Sequence, residues 1–259
     1  MASDIPAYPR TLHLGRSGGG TSKHSASIEA LSGAHLTVEE KVDGSHVGLF
    51  FDEDANLVIF HRNSRLDEPP SNPEFKLLHR QARLGIDALW DALQTRFVLY
   101  GEWALHTHSL FYDALPAYFL EDDVFDRQRG AFLATAARRH LRSKLPDDFS
   151  SSVEVLAEGD FDERFGTEAS ITELIGPSRY RSSNWGSALA ATHDKRTGNL
   201  ASHTLAEGLY IKDERNGIVT ARYKWVRESF ITSIKNAETH WRSHKPLQNQ
   251  LRGRREAGD

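Results

Sequence analysis

Glu39-Glu40-Lys41-Val42-Asp43-Gly44-Ser45 lies between two apolar runs, and its reading decides how the rest of the chain is understood. A lysine among acids and a glycine, at the edge of a predicted strand, is an unusual component of a plain core. Its amine can act as a nucleophile once it is unprotonated. Free lysine keeps its proton up to a pKa near ~10.4, so neighbouring cations or a bound metal are expected to disfavour the ammonium. Short patterns recur by chance, and the meaning of Lys41 is set by what surrounds it.

Outward from Lys41, Val47-Gly48-Leu49-Phe50-Phe51 and Leu57-Val58-Ile59-Phe60 predict two strands, with Asp52 to Asn56 as a hairpin turn. Prolines at 69, 70 and 73 mark a loop. The spacing from Glu74 to Leu93 predicts a helix with Phe75, Leu78, Ala82, Ile86 and Leu89 on one face. Strand returns at Phe97 to Tyr100 and at Tyr118 to Leu120. Ala131 to Leu145 predicts a second helix, and Ser170 to Ile175 the start of a third. The polar, weakly patterned stretch from Ser178 to Ser202 predicts a long loop or a mobile region. Strand signals resume at Gly208 to Ile211 and at Ile218 to Val226. The organisation predicted is one domain over 1–227 with a polar insert around 178–202, then a short helical, basic tail over 228–259. Helices grouped between strand runs predict an α+β sandwich rather than regular βαβ alternation.

The bulk numbers narrow the class. With 259 residues, 39% hydrophobic and 26% charged, the chain fits one large soluble domain. A net charge of −4 means that any phosphate-binding surface must be a local cluster. Zero cysteines exclude disulfides and thiolate metal sites. The N-terminus has no signal-peptide pattern and no apolar run reaches the length of a membrane span. A cytoplasmic protein is the expectation.

Chemistry-bearing residues recur at predicted strand ends: His61-Arg62-Asn63-Ser64, Tyr100-Gly101-Glu102-Trp103, Ala206-Glu207-Gly208-Leu209-Tyr210-Ile211-Lys212 and Arg222-Tyr223-Lys224-Trp225-Val226-Arg227. Alternation places Arg222 and Lys224 on one face of the last strand, with Tyr223 and Trp225 on the other.

In this order, Lys41-x-Asp43-Gly44 and the four later stretches resemble motifs I, Ia, III, IV and V of the covalent nucleotidyltransferases, the polynucleotide ligases and mRNA capping enzymes. Together they cover Glu40 to Arg227. Capping enzymes and most DNA ligases resemble Lys-x-Asp-Gly-x-Arg, whereas Ser45 and His46 follow the glycine here, which looks more like RNA ligases. The stretches from His106 to Pro116 and from Tyr8 to Leu14 are similar to segments of a bacterial and phage group of nick-sealing RNA ligases.

The resemblance implies an adenylyltransferase domain of antiparallel sheets flanked by helices, with an ATP pocket between the sheets. It also implies ATP as AMP donor, Mg²⁺ or Mn²⁺, and RNA with 5′-phosphate and 3′-OH ends, such as a nicked duplex. An end-healing partner protein is a further implication. Lys41 would carry AMP. Glu40 would lie near the adenine amine, Arg62 would bind acceptor or phosphate, and Glu102 the ribose. Asp43, Glu102 and Glu207 would surround the metal through its waters. Lys212, Arg222 and Lys224 would hold phosphates and depress the pKa of Lys41.

Two departures stand out. Asp122 takes the place where motif IIIa has an aromatic that stacks on adenine; Phe119 and Phe125 point away in a regular strand, and Tyr118 shares the right side. About thirty residues follow motif V, too few for an OB domain. Arg179, Arg181, Lys195 and Arg196 are candidates for gripping RNA, or a solvated loop. The His106–His108 pair reads as hydrogen-bonded rather than as a metal site. Trp90, Trp103, Trp225 and Trp241 read as core, and Trp185 as a possible stacking platform. The competing functions are a DNA ligase, a capping-type guanylyltransferase, and a catalytically degenerate nucleotide- or RNA-binding relative.

Overall fold

The computed structural model describes residues 5–236 and 246–253. Two short strands, β1 (Leu12–Leu14) and β2 (Ser25–Ala26), precede β3 (His35–Lys41). A meander follows as β4 (Ser45–Phe51), β5 (Leu57–His61) and β6 (Ser64–Arg65). Helices α1 (Lys76–Leu84) and α2 (Ile86–Leu93) lead to β7 (Phe97–Trp103), β8 (Phe119–Asp126) and β9 (Ala131–Leu133). Then come α3 (Thr135–Arg142), β10 (Ser150–Ser152), β11 (Val155–Asp160) and α4 (Glu168–Thr172). The chain continues through α5 (Trp185–Ala191), α6 (Thr197–Ser202), β12 (Gly208–Arg215), β13 (Ile218–Val226) and α7 (Glu228–Asn236).

The expected separate antiparallel sheets are one continuous, mixed array in the order β11-β3-β12-β13-β9-β8-β7-β4-β5-β6. Most pairs are antiparallel, while β1 runs parallel to β13 and to β2, and β10 parallel to β8. β9 is the short link between two leaves, β11-β3-β12-β13 and β8-β7-β4-β5. Ion pairs run between β12 or β13 and β8, so the inner faces of the leaves meet, and the site lies between them. The back of the first leaf buries Leu36, Val38, Leu209 and Ile211 against Leu31, Phe161 and Ile171. The back of the second buries Val47, Leu49, Leu99 and Val124 against Leu78, Leu89 and Leu93 of α1 and α2 and Leu141 of α3. Apolar burial of this kind contributes roughly 25 cal/mol per Å² and fixes both leaves.

Several elements differ from expectation. Gly85 divides the predicted 74–93 helix into α1 and α2, and Ile86 is partly exposed rather than in the core. Residues 131–133 are strand, pairing with β13 and β8, because a sheet edge between the leaves captures them before the helix starts at Thr135. The polar stretch 178–202 is ordered into α5 and α6, whose Leu189 and Leu200 pack on Phe111. Two leucines at the right spacing sufficed where average polarity suggested a loop. Residues 246–253 dock back on the segment after β7: buried Asn249 donates to the Ala104 carbonyl (2.9 Å) and accepts from Thr107 Oγ1 (2.7 Å). Trp241 lies outside the described residues. Among those described, no helix is long and apolar enough to cross a membrane.

Candidate active site

Register builds the site. β12 pairs with β3 so that Gly208 faces Lys41, Tyr210 faces Glu39 and Lys212 faces Thr37. It pairs with β13 so that Tyr210 faces Lys224 and Lys212 faces Arg222. Residues opposite each other on antiparallel strands share a face. Thr37, Glu39, Lys41, Tyr210, Lys212, Arg222 and Lys224 therefore line the inner side of the leaf. Tyr223 and Trp225 lie behind, packed with the Leu36–Ile211 core, as alternation predicts.

Gly208 is required by the backbone: a Cβ there would stand 1.9 Å from the Trp225 carbonyl oxygen. That close approach of β13 fixes Glu207, whose Oε1 lies 2.8 Å from Lys41 Nζ. The ammonium also sits 5.4 Å from the centroid of the Tyr210 ring. Burial by itself would lower the Lys41 pKa, but Glu207, then Tyr210 and Glu102, raise it above its ordinary value. The expected depression by neighbouring cations is thus reversed. Lys212 and Arg222 are engaged by other acids, and the acids around the amine outweigh the neighbouring cation Lys224.

Lys212 is ion-paired with Glu39 (2.8 Å) and Asp123 (3.3 Å), and donates to the Asp122 carbonyl. Arg222 is 3.2 Å from Asp123, beneath the Tyr8 ring, and Tyr8 donates its hydroxyl to the same carboxylate. Behind them a fully buried Arg138 bridges Glu39 and Glu121. Neither Tyr8, Glu39, Asp123 nor Arg138 was a site candidate in the sequence. Glu39 could have been found, since it is two residues before Lys41 and so on its face.

The remaining candidates scatter. Lys224 shares the Lys41 face, and its pKa is lowered by burial and by Lys41. Glu40 points to the other side of β3. Its buried carboxylate accepts the Arg179 amide at 2.8 Å, and burial raises its pKa. Asp43 accepts the Ser109 and Leu110 amides (2.7 and 3.0 Å), pinning the loop after β7. Arg62 is exposed in the turn between β5 and β6, at φ 55°. Arg181 covers the Trp185 ring at 4.0 Å and Arg196 pairs with Asp194 at 3.0 Å, so neither they nor Trp185 form an open RNA platform. His108 Nε2 lies 3.6 Å from the buried Glu74 carboxylate, within ion-pair distance but beyond a hydrogen bond.

Asp122 has a structural origin. Tyr100 pairs with Asp123 and Gly101 with Glu121, so Asp122 is the extra residue of a β-bulge. Burial, then Asp123, pushes its pKa up to about 8. Phe119 is in the core behind, Phe125 packs on Phe132, and Tyr118 donates to the Asn249 carbonyl. Among the described residues, the aromatic ring over the lysine is that of Tyr210, opposite Lys224 on β13.

The acids fit a cation. Glu102 is buried, its Oε2 lacks a hydrogen-bond partner, and burial followed by Asp122, Glu207 and Asp43 raises its pKa. Asp122 Oδ1 is likewise unpartnered. Among the described residues no three histidine or carboxylate side chains converge on one ion position. A hard cation such as Mg²⁺ keeps several waters, through which carboxylates that do not converge on one position can still hold it.

A family model described as RNA ligase matches residues 34–226. No curated protein matches the sequence. Among solved structures the chain is similar to an RNA ligase of Naegleria gruberi. A lysine-to-alanine mutant of it with ATP and Mn aligns with TM-score 0.55 and 16% identity, over 89% of this chain and 63% of that one. The form with PPi gives 0.52 and 17%, over 81% and 54%. A second mutant with ATP and Mn gives 0.54 and 18%, over 80% and 54%. At such identity the likeness concerns the fold, and the chain spans about half the length of the first ligase structures that it matches.

Proposed function

The chain belongs to the RNA ligase family, and from that premise we propose that it joins RNA 3′-OH and 5′-phosphate ends using ATP, through a lysyl-AMP on Lys41. The observation that carries the reading is the Lys41–Glu207 pair, 2.8 Å apart, set between Tyr210 of the first leaf and Glu102 of the second. The ammonium gives its proton to Glu207, and Nζ attacks the α-phosphorus of ATP. The N–P bond forms as the bond to the β-phosphate breaks, and pyrophosphate leaves with the electron pair. A 5′-phosphate oxygen of RNA then attacks the same α-phosphorus. The O–P bond forms as the N–P bond breaks, and Lys41 Nζ leaves as the amine, taking back the proton held by Glu207. The 3′-hydroxyl finally attacks the phosphorus of the RNA 5′-phosphate, losing its proton to water as the bond from that phosphorus to the AMP oxygen breaks and AMP leaves.

A Mg²⁺ ion held through water by Asp43, Glu102 and Glu207 would neutralise phosphate charge. Lys224 neutralises phosphate directly. Arg222 and Lys212 reach it by exchanging Asp123 for phosphate oxygens, and Arg62 at the rim meets the acceptor strand. Tyr210 offers the π-face that Asp122 cannot.

The test is incubation with Mg²⁺ and each nucleoside triphosphate, reading an acid-labile adduct by intact mass, with Lys41→Ala as control. An AMP adduct lost in the variant, followed by sealing of nicked RNA duplexes, supports the reading. A GMP adduct selects capping-type chemistry, and preference for nicked DNA selects DNA ligation. Absence of any adduct leaves the binding-only alternative, which buried Asp122 favours.

A further inference from the structure

Glu74 is a buried carboxylate that the chemistry at Lys41 does not use. It stands in the short helical turn Pro73–Phe75 ahead of α1, where the Asn72 side chain accepts its amide at 3.0 Å. That turn meets the second leaf where β4 starts at Ser45 and β7 ends at Trp103, which are register partners. Three contacts leave this one residue. Oε1 accepts the Ser45 hydroxyl at 2.7 Å, the backbone carbonyl accepts Trp103 Nε1 at 2.8 Å, and His108 Nε2 lies 3.6 Å from the same Oε1.

Each partner is a near neighbour of a carboxylate at the site. Ser45 follows Asp43 by two residues, Trp103 follows Glu102, and His108 precedes Ser109, whose amide donates to Asp43 at 2.7 Å. The segments also pack on one another: a Cβ at Gly44 would stand 2.9 Å from the Trp103 carbonyl oxygen and 3.3 Å from Glu102 Oε2. The Asp43-Gly44-Ser45 turn thus lies directly against the Glu102 side chain, and its path sets how far apart the two carboxylates stand. Burial raises the Glu74 pKa, but His108 and Ser45 outweigh it and hold the carboxyl below its ordinary value. A buried carboxylate is costly, and Leu78 of α1 already packs the helix onto the leaf. What the carboxylate adds is the placement of its partners around Asp43 and Glu102.

We propose that Glu74 is a positioning residue of the cation site: through Ser45, Trp103 and His108 it sets the separation of Asp43 from Glu102, across which a hydrated divalent cation is held. This rests on the reading of those two carboxylates as cation-binding. Carboxylates that act on a cation through water have no short bonds to the ion that would fix their spacing, so the surrounding protein fixes it. Glu74 acts through its partners and is not itself a ligand.

The test uses the full chain with Glu74→Ala, Glu74→Gln and Ser45→Ala, each checked for folding by circular dichroism. Mn²⁺ binding is titrated by electron paramagnetic resonance without nucleotide. AMP adduct formation is measured against Mg²⁺ concentration and, at saturating Mg²⁺, against ATP. Glu74→Ala is expected to weaken Mn²⁺ binding and raise the Mg²⁺ requirement roughly 10- to 100-fold, the range for groups that orient metal ligands, with KM for ATP at saturating Mg²⁺ unchanged. Glu74→Gln keeps an acceptor for Ser45 and should retain most of the affinity, while Ser45→Ala loses that bond and should fall between the two. Unchanged Mn²⁺ affinity in Glu74→Ala, or in Ser45→Ala where Glu74→Ala does not fold, overturns the inference, as does a wild type that binds no Mn²⁺. A KM for ATP that rises as far as the Mg²⁺ requirement also overturns it, by making Glu74 a general support of the fold. Mn²⁺ binding that weakens in the variants, in a wild type that forms no adduct, upholds the positioning role and sinks the ligase reading instead.

Discussion

Lys41 Nζ and Glu207 Oε1 lie 2.8 Å apart, so the nucleophile rests as the ammonium of an ion pair. Proton transfer within that pair changes no net charge and needs no hydroxide. Wild-type adduct formation at saturating ATP and Mg²⁺ is therefore expected to be nearly flat between about pH 7 and 9. In Glu207→Gln the acceptor is gone. Glu207 raises the Lys41 pKa and burial lowers it, so the lysine pKa falls in this variant, but its proton must now leave to solvent. Adduct formation should drop on the order of 10²-fold at pH 7 and recover about tenfold per pH unit below the new lysine pKa. Parallel pH profiles for the two proteins would remove Glu207 as proton acceptor.

Glu102 is a second consequence of crowding acids around one lysine. Burial comes first among the causes that raise its pKa. A carboxyl raised above its unfolded value stabilises the fold at low pH and loses that contribution as pH rises. Glu102→Gln should then be more stable than wild type at pH 7, by roughly 1–3 kcal/mol without metal, with the gain vanishing below the ordinary carboxylate range. Mg²⁺ should raise the wild-type melting temperature and leave the variant's nearly unchanged. Denaturant titrations at pH 4 and 7, each with and without Mg²⁺, check both. A variant no more stable than wild type at pH 7 contradicts the electrostatic account.

Arg138 is fully buried between Glu39 and Glu121. Its replacement by Met strands two buried carboxylates, one of which also holds Lys212. A loss of about 3–5 kcal/mol is expected, read by urea denaturation, with urea midpoints within error of each other as the refuting result.

Much of this was legible beforehand because strand alternation is rigid. Once Lys41, Glu207 and Arg222 sat at strand ends, the shared face of Arg222 and Lys224 followed, and β12 and β13 placed it where expected. Glu40 and Asp43 were assigned by resemblance alone. Glu40 turns away by that same alternation, and Asp43 spends one oxygen on two backbone amides. The Asp123–Arg222–Tyr8 and Glu39–Arg138–Glu121 networks join residues 99 or more positions apart, except Arg138 and Glu121, and no local pattern encodes such partners. The α5–α6 segment was missed because average polarity hid two leucines that find Phe111 only in three dimensions.

Tyr210 is where a base would find a ring, since its centroid is 5.4 Å from Lys41 Nζ and the bulge residue Asp122 is acidic. Aromatic stacking contributes about 1–3 kcal/mol per base. Tyr210→Ala should therefore raise KM for ATP in adduct formation roughly 5- to 100-fold, while Tyr210→Phe stays close to wild type. Equal KM values for the alanine and phenylalanine variants would show that the ring does not carry the base.

Asp122 and Asp123 are neighbours shifted in opposite directions, and the difference can be measured as stability. Burial, then Asp123, pushes Asp122 up to about 8. Asp123 is also pushed up by burial, but Lys212, Arg222 and the Tyr8 hydroxyl hold it down at about 2. The stabilisation linked to Asp123 is present at neutral pH and lost only as pH falls through the acid range. That linked to Asp122 is complete in acid and lost as pH rises toward about 8. Of these two aspartates only Asp122 titrates between about pH 5 and 8, and its titration costs at most about 1.4 kcal/mol per pH unit there. Asp122→Asn does not titrate, so its advantage over wild type should grow by roughly 1–3 kcal/mol from pH 5 to pH 8. Urea midpoints at three pH values decide it: an advantage that stays constant means that Asp122 is ionised throughout, and the bulge then holds a charge that a nucleotide or metal must meet.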